Sequence, residues 1–384
     1  MTVVICFLLL VGPAAAGPPS KLAALVRTAS KLSGLPAKST PRVVVLAQAA
    51  MQQEAVRVLD RDYPPEQQAY DEMLYRALGL LSEDQTLRPL LARQAGSTLG
   101  FYDALRRTVY VRAGATQRRL LRELVHALQD QSFDLRRLAG VRGRGRDAAL
   151  AGTAAVDGHA FFATNVLAGL DLNRLAAGRS GPRIGDFLAL EAGFANATGV
   201  RFLSTLQNLG GRRAIFTALR RFPESTEQIF HIDAFLRREP AVAIALPTAL
   251  GKFGRVREDT FGELDVRALL AVFGVPRLDR VGEGWGGGRT GLYRDPSGRQ
   301  SVVLALDWDE AVDADQWAEA VTRYVNEAFD ADRPGSPATT PCGATVCWSV
   351  GGRDIAFQRS GVRTALVFGP SVADASSIAQ QVLG

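Results

Sequence analysis

Hydrophobic positions follow a helical rhythm through most of the 384-residue chain and give way to strand-like alternation toward its end. The opening apolar run, Val3 to Val11, is too short for a spanning helix, which takes roughly 20 apolar residues. Residues 17–40 are rich in Pro, Ser, Lys and Ala without a core pattern, and read as a linker or loose arm. "RVVVLAQ" (42–48) predicts a strand. "YPPEQQAYDEMLYRALGLL" places apolar residues at Met73, Leu74, Leu78 and Leu81 behind tandem prolines, which predicts a helix starting just after them. "LGFYDALRRTVYVRAG" predicts a hairpin or an edge strand over Thr108–Arg112.

Gln117–Phe133 predicts an amphipathic helix, with Leu120, Leu121, Leu124, Val125 and Leu128 on one arc and Arg122, Glu123, His126, Gln129 and Asp130 on the other. One arc packs and the other presents chemistry. Further helices are predicted over 147–170, 184–210, 212–222 and 264–274, and Ser225 with Gln228 forms a capping-box pattern before another. "GEGWGGGRTGLYRD" marks a glycine-rich boundary. Beyond it the order β-β-α-β-β-β-α predicts a small α+β domain, in which Trp285 and Trp308 belong to the core or the domain interface rather than to a ligand platform. The expected class is therefore α+β, with a mainly helical domain over 41–278 and an α+β domain over 279–384.

After Val11 come a Gly-Pro break and Ala14, Ala15 and Ala16, the pattern of a secretory signal ending at residue 16. The expectation is an exported protein, periplasmic or secreted, with no transmembrane segment beyond the signal. Cys6 leaves with the signal, and Cys342 and Cys347 remain. Their spacing is not C-x-x-C, and in an exported chain it favours a local disulfide over a metal or redox site. The formal charge is +6, carried by scattered arginines, with lysine only at Lys21, Lys31, Lys38 and Lys252. The one cluster, "VRGRGRD" (141–147), alternates with glycine and reads as a mobile basic loop. Without a basic, aromatic-interleaved strand, nucleic acid is not expected as a partner.

The chemistry concentrates in "RELVHALQDQSFDL" (122–135). A helical H-E-x-x-H puts two imidazoles on one face to hold zinc, with the glutamate beside the metal-bound water as general base. Here the five positions are Arg122, Glu123, Leu124, Val125 and His126, so the base and one ligand are present and the other ligand is a cation.

The flanks resemble a family of secreted prokaryotic zincin-like proteins with "HELTHALQDQHFDL" at this place. The similarity runs through "GFYDALRRTVYV", "AAVDGHA", "EAGFANATGVRFLSTLQNLGG", "FPESTEQIFHIDAF" and "GEGWGGGRTGLYRD", in the family's order. The resemblance implies a zincin-like fold for the helical domain, with zinc ligands at positions 122, 126 and 157 and Glu123 as base. This chain departs from it: Arg122 stands for His, Asp157 for Glu, and His159 for an acidic residue. The expectation is a pseudopeptidase without cofactor, binding a peptide, protein or cell-envelope partner, with Arg122 replacing the cation beside Asp157 and Glu123. The alternative is an active zinc endopeptidase with His126, Asp157 and His159 as ligands and Glu123 as base. His231 either steadies an oxyanion or packs locally.

Overall fold

The computed structural model describes residues 19–166, 183–329, 340–342, 345–350 and 352–384. The signal expected at 1–16 lies outside the described residues. In chain order the elements are α1 (Pro19–Ser33), β1 (Arg42–Leu46), α2 (Gln48–Asp62), α3 (Pro65–Ala77), α4 (Leu87–Gly96), β2 (Gly100–Asp103), β3 (Thr108–Arg112), α5 (Gln117–Phe133), α6 (Arg137–Arg142) and α7 (Arg146–Phe161). A π-helical turn follows at Phe162–Val166. Then come α8 (Arg183–Phe194), a second π-helical turn at Ala195–Gly199, α9 (Val200–Arg220), α10 (Glu227–Phe230), α11 (Ile232–Arg237), β4 (Ala249–Leu250), β5 (Phe253–Thr260), α12 (Glu263–Val272) and α13 (Leu278–Glu283). The chain ends with β6 (Trp285–Arg294), β7 (Gln300–Trp308), α14 (Ala311–Phe329), β8 (Thr340–Cys342), β9 (Thr345–Val350), β10 (Arg353–Ser360), β11 (Arg363–Gly369) and α15 (Val372–Leu383). No helix among the described residues is long and apolar enough to cross a membrane.

These elements form two compact units, each discontinuous in sequence. The first takes Met1–Asp62, Leu91–Arg136 and Ala160–Asp171; the second takes Tyr63–Leu90, Arg137–His159 and Leu172–Gly384.

In the first unit, the sheet order is β1-β3-β2, with β1 parallel and β2 antiparallel to the central β3. The hairpin expected over 100–112 is present, but Thr108–Arg112 is the middle strand rather than an edge. Thr108, Val109, Tyr110 and Val111 are all buried, so the strand shows no polar side. The arm expected over 17–40 is largely the helix α1, which buries Val26 and Ala29, three residues apart on one face, with Leu35 closing the turn behind it. Its Leu22, Leu25, Val26 and Ala29 follow helical spacing, which the Pro-, Ser- and Lys-rich composition masked; α2 was missed because it buries few side chains, Met51 and Ala55.

The second unit contains an eight-stranded antiparallel sheet ordered β4-β5-β6-β7-β11-β10-β9-β8. Ile244, Phe253, Tyr293, Val303, Val367, Ile378 and Val382 form a core between it and α15. The glycine-rich stretch expected as a boundary is β6, a buried interior strand. Its glycines reflect crowding: a Cβ on Gly288 would lie 2.8 Å from the Leu306 side chain, and Trp285 beside it donates to the Phe261 carbonyl at 3.2 Å. Trp285 and Trp308 are buried. The sheet begins earlier than the composition change, at Ala249.

The helices of this unit also meet through glycine. A Cβ on Gly158 of α7 would lie 2.9 Å from the Gly199 carbonyl carbon, so the two backbones touch with no side chain between them.

Candidate functional site

The polar arc of α5 is not presented to solvent. Thr116 caps the helix by accepting from the Arg119 amide at 3.3 Å, and Glu123, His126, Gln129 and Asp130 are all buried. Each has work within the first unit. The Glu123 carboxylate lies 2.9 Å from the Arg119 guanidinium one turn earlier. His126 Nδ1 and Gln129 Oε1 are 2.9 Å apart. Asp130 accepts from the Tyr102 hydroxyl at 2.8 Å and from the Leu135 amide at 2.7 Å, tying β2 and the helix end together. Gln131 accepts from the Lys38 amide at 2.8 Å and donates to the Ser39 carbonyl at 3.0 Å, anchoring the segment after α1. Arg122 places its guanidinium 5.1 Å from the centre of the Phe161 ring.

Asp157 and His159 lie in the second unit on α7, which runs unbroken through Gly158. Two residues apart on a helix, their side chains diverge by about 200°. His159 is buried, edge-on to Phe216 with ring centres 6.3 Å apart, whereas Asp157 is half-buried. Among the described residues, no three His, Cys, Asp or Glu side chains converge as metal ligands. The donors on α5 itself do not fit catalytic zinc: one ligand position is a permanent cation and the base is already paired with another.

His231 belongs to a different constellation. It sits in the break between α10 and α11, with φ −116° and ψ 98°, and its half-exposed imidazole points Nε2 at Glu263 Oε1, 3.1 Å away. Glu263 is fully buried at the start of α12, and Arg267 one turn later donates to the same oxygen at 2.6 Å. The second oxygen, Oε2, is buried without a hydrogen-bond partner. Arg267 also pairs with Asp279 and stacks 4.5 Å from the Phe230 ring centre. The bond to Glu263 raises the His231 pKa.

Glu227, beside them, has its pKa pushed up to about 8, first by burial and then by Glu263, Asp309 and Glu239. A carboxylate-steered imidazole next to a carboxyl group that holds its proton near neutrality is equipped to exchange protons. Burial and the charges of Glu239 and Asp313 likewise raise Asp309, which faces an open acidic pocket of about 340 Å³.

Around "PESTEQ" the polar residues build scaffold. Ser225 accepts from the Gln228 amide at 3.3 Å, while the Gln228 side chain accepts from the Glu224 amide at 2.9 Å, one residue earlier than a capping box requires. Thr226 donates its amide at 3.1 Å, and its hydroxyl, to Asp147, and accepts from the Leu264 amide at 3.1 Å. Burial pushes Asp147 up to about 7. The preceding Arg146, expected in a mobile basic loop, is half-buried between Glu191 and Asp265, and its amide donates to Asp259 at 2.8 Å. Alternation with glycine here marks the turn between α6 and α7 rather than a free loop.

Cys342 and Cys347 form a disulfide across the β8–β9 pair, with Cα atoms 6.1 Å apart. Sequence reasoning singled out His231 but missed its partners Glu263 and Arg267. Their only local signal was an i, i+4 acid–base pair at the head of an apolar helix.

A family model described as a domain of unknown function (DUF8575) matches residues 248–379. The match begins one residue before β4 and takes in the eight-stranded sheet, Glu263 and Arg267; α5 and His231 lie outside it. No curated protein and no solved structure matches the chain.

Proposed function

We propose that the chain is an exported, catalytically silent zincin-like protein that binds a peptide, a protein or a cell-envelope component. The observation that supports this reading is the Arg119–Glu123 ion pair on α5, at 2.9 Å. A general base must be open to the water it activates. Glu123 is buried, its carboxylate faces a guanidinium of its own helix, and the neighbouring ligand position is Arg122. The same helix keeps the rest of its polar arc engaged in holding β2 and the segment after α1, so it persists as framework while its chemistry lapses. The disulfide between Cys342 and Cys347 suits an oxidising compartment.

The test is elemental analysis of zinc on the purified chain, expressed with zinc present, beside an Arg122→His variant. The expected result is a metal-free parent and a variant that takes up zinc. Stoichiometric zinc in the parent would overturn the reading in favour of an active endopeptidase with a rearranged site, and a Glu123→Gln control would then show whether peptide cleavage depends on that base.

A further inference from the structure

A second cavity of the sheet-bearing unit, about 310 Å³, carries two arginines in its lining and no carboxylate: Arg183 and Arg353 face it together with Ser82, Gln85, Ala328 and Phe329. Local sequence builds it firmly. Gly79 follows the end of α3 with φ +72°, a conformation open to glycine, and a Cβ there would lie 3.0 Å from the Phe329 ring. Arg76 donates to the Gln85 carbonyl at 2.6 Å, and the Ser82 amide donates to the Gln85 side chain at 3.2 Å, which pins the loop forming one wall. The opposite wall is the last turn of α14, where Arg183 donates to the Ala328 carbonyl at 2.9 Å. Cations are favoured there by the exposed carbonyls of the helix end.

Both guanidiniums rest on aromatic rings, Arg183 at 4.9 Å from the Phe273 centre and Arg353 at 5.5 Å from that of Phe329. We propose that this pocket binds a small organic carboxylate with an apolar body, the chemistry of a free peptide C-terminus.

The planar guanidinium forks suit a carboxylate, and the face of Phe329 with Ala328 suits the apolar part. The volume is at the lower end of the roughly 300–1,000 Å³ of small-ligand sites, room for one or two residues. Glu83 already shows what Arg353 takes: its carboxylate lies 3.1 Å from the guanidinium, from a side chain 78% exposed. An exposed pair of this kind is worth at most about 1 kcal/mol, so a ligand carboxylate can displace it. Both arginines also act on the buried phenol of Tyr324, opposing the rise in its pKa that burial causes. The site uses no residue of α5, so its test is separate from the zinc measurement.

Isothermal titration calorimetry on the full chain would compare N-acetyl-leucine, its primary amide and inorganic phosphate. The expected result is binding of the acid, with the amide weaker by roughly tenfold or more. Arg353→Met should weaken the acid by a similar factor, and Glu83→Gln should tighten it by removing the competitor. Equal binding of acid and amide, absence of any heat with the acid at millimolar concentration, or phosphate binding as tightly as the acid would each overturn the proposal. The acid–amide comparison and Glu83→Gln stand even if Arg353→Met fails to fold.

Discussion

The polar arc of α5 and the cluster around His231 each combine a histidine with a buried glutamate, and they differ in how charge is balanced. On α5, Glu123 meets Arg119 within its own helix, Asp130 accepts two hydrogen bonds, and His126 has Gln129. Around His231, Glu227 and Asp309 add to the fully buried Glu263, against one imidazole and the Arg267 guanidinium, while Glu239 at the rim is held by Arg237 at 2.7 Å. One oxygen of Glu263 has no hydrogen bond. A saturated set is framework. An acid-rich set pushes carboxyl pKa values upward, so proton-exchanging groups gather there rather than on the helix whose motif first suggests chemistry.

The largest effect should come from removing the guanidinium that is bound to the buried Glu263. Arg267→Met would leave Glu263 buried beside Glu227 with only His231 to balance it, and should cost about 3–5 kcal/mol. All four tryptophans, Trp285, Trp308, Trp317 and Trp348, lie in the second unit, so their fluorescence during urea unfolding reads this change. Arg119→Met on α5 should cost less, about 1–2 kcal/mol by far-ultraviolet circular dichroism, because the Arg119 side chain is 27% exposed and already partly hydrated, whereas that of Arg267 is 10% exposed. Equal costs would erase the contrast between the two regions.

Next in size is a pH effect. Glu227 and Asp147 have folded-state pKa values raised to about 8 and about 7, and that of His231 is also raised. A group that binds its proton more tightly when folded contributes stability that is complete below its unfolded pKa and is lost as pH rises through the folded one. All three act in the same direction, so stability of the second unit should fall between about pH 5 and pH 8. Acids with lowered values act oppositely and further down, as with Asp295, held at about 2 by Ser297 and Arg299. Glu227→Gln should therefore flatten the slope toward pH 8. A variant with the parent's full slope would remove Glu227 from the account.

Much of this architecture was legible in the chain. The capped, amphipathic α5 was readable to its ends, because a run of apolar residues at helical spacing follows Thr116 and stops at Asp134, which takes φ +56°. The short apolar runs after residue 300 likewise gave β7, β10 and β11. What escaped was structure built from small or polar residues. α1 buries alanine and valine, β6 uses glycine where side chains do not fit, and the Arg146–Asp265 and Thr226–Asp147 links join residues about 80 or more apart in sequence. Periodicity records which face is apolar, and it cannot show that a polar face will also be covered. That is why the α5 arc read as presented when it is enclosed, and why His231 was visible without Glu263.

The smallest effect tests whether the polar residues that make α5 resemble a peptidase helix serve architecture. Gln131 bridges α5 to the segment after α1 through the Lys38 amide and the Ser39 carbonyl, and the Lys38 ammonium returns to the Gln131 carbonyl at 2.6 Å. These bonds are partly exposed, so Gln131→Ala should cost only about 1 kcal/mol, since water replaces part of what is lost. Amide hydrogen exchange is the sharper measurement. The Lys38 and Ser39 amides, both directed at Gln131 Oε1, should exchange faster in the variant, while amides within α5 itself keep their protection. If Lys38 and Ser39 exchange as in the parent, Gln131 does not tie this segment to the helix, and the "ALQDQ" stretch would need a reason other than framework. Faster exchange confined to residues 38 and 39 would place Gln131 with Gln129 and Asp130 among the polar residues that hold α5 in position.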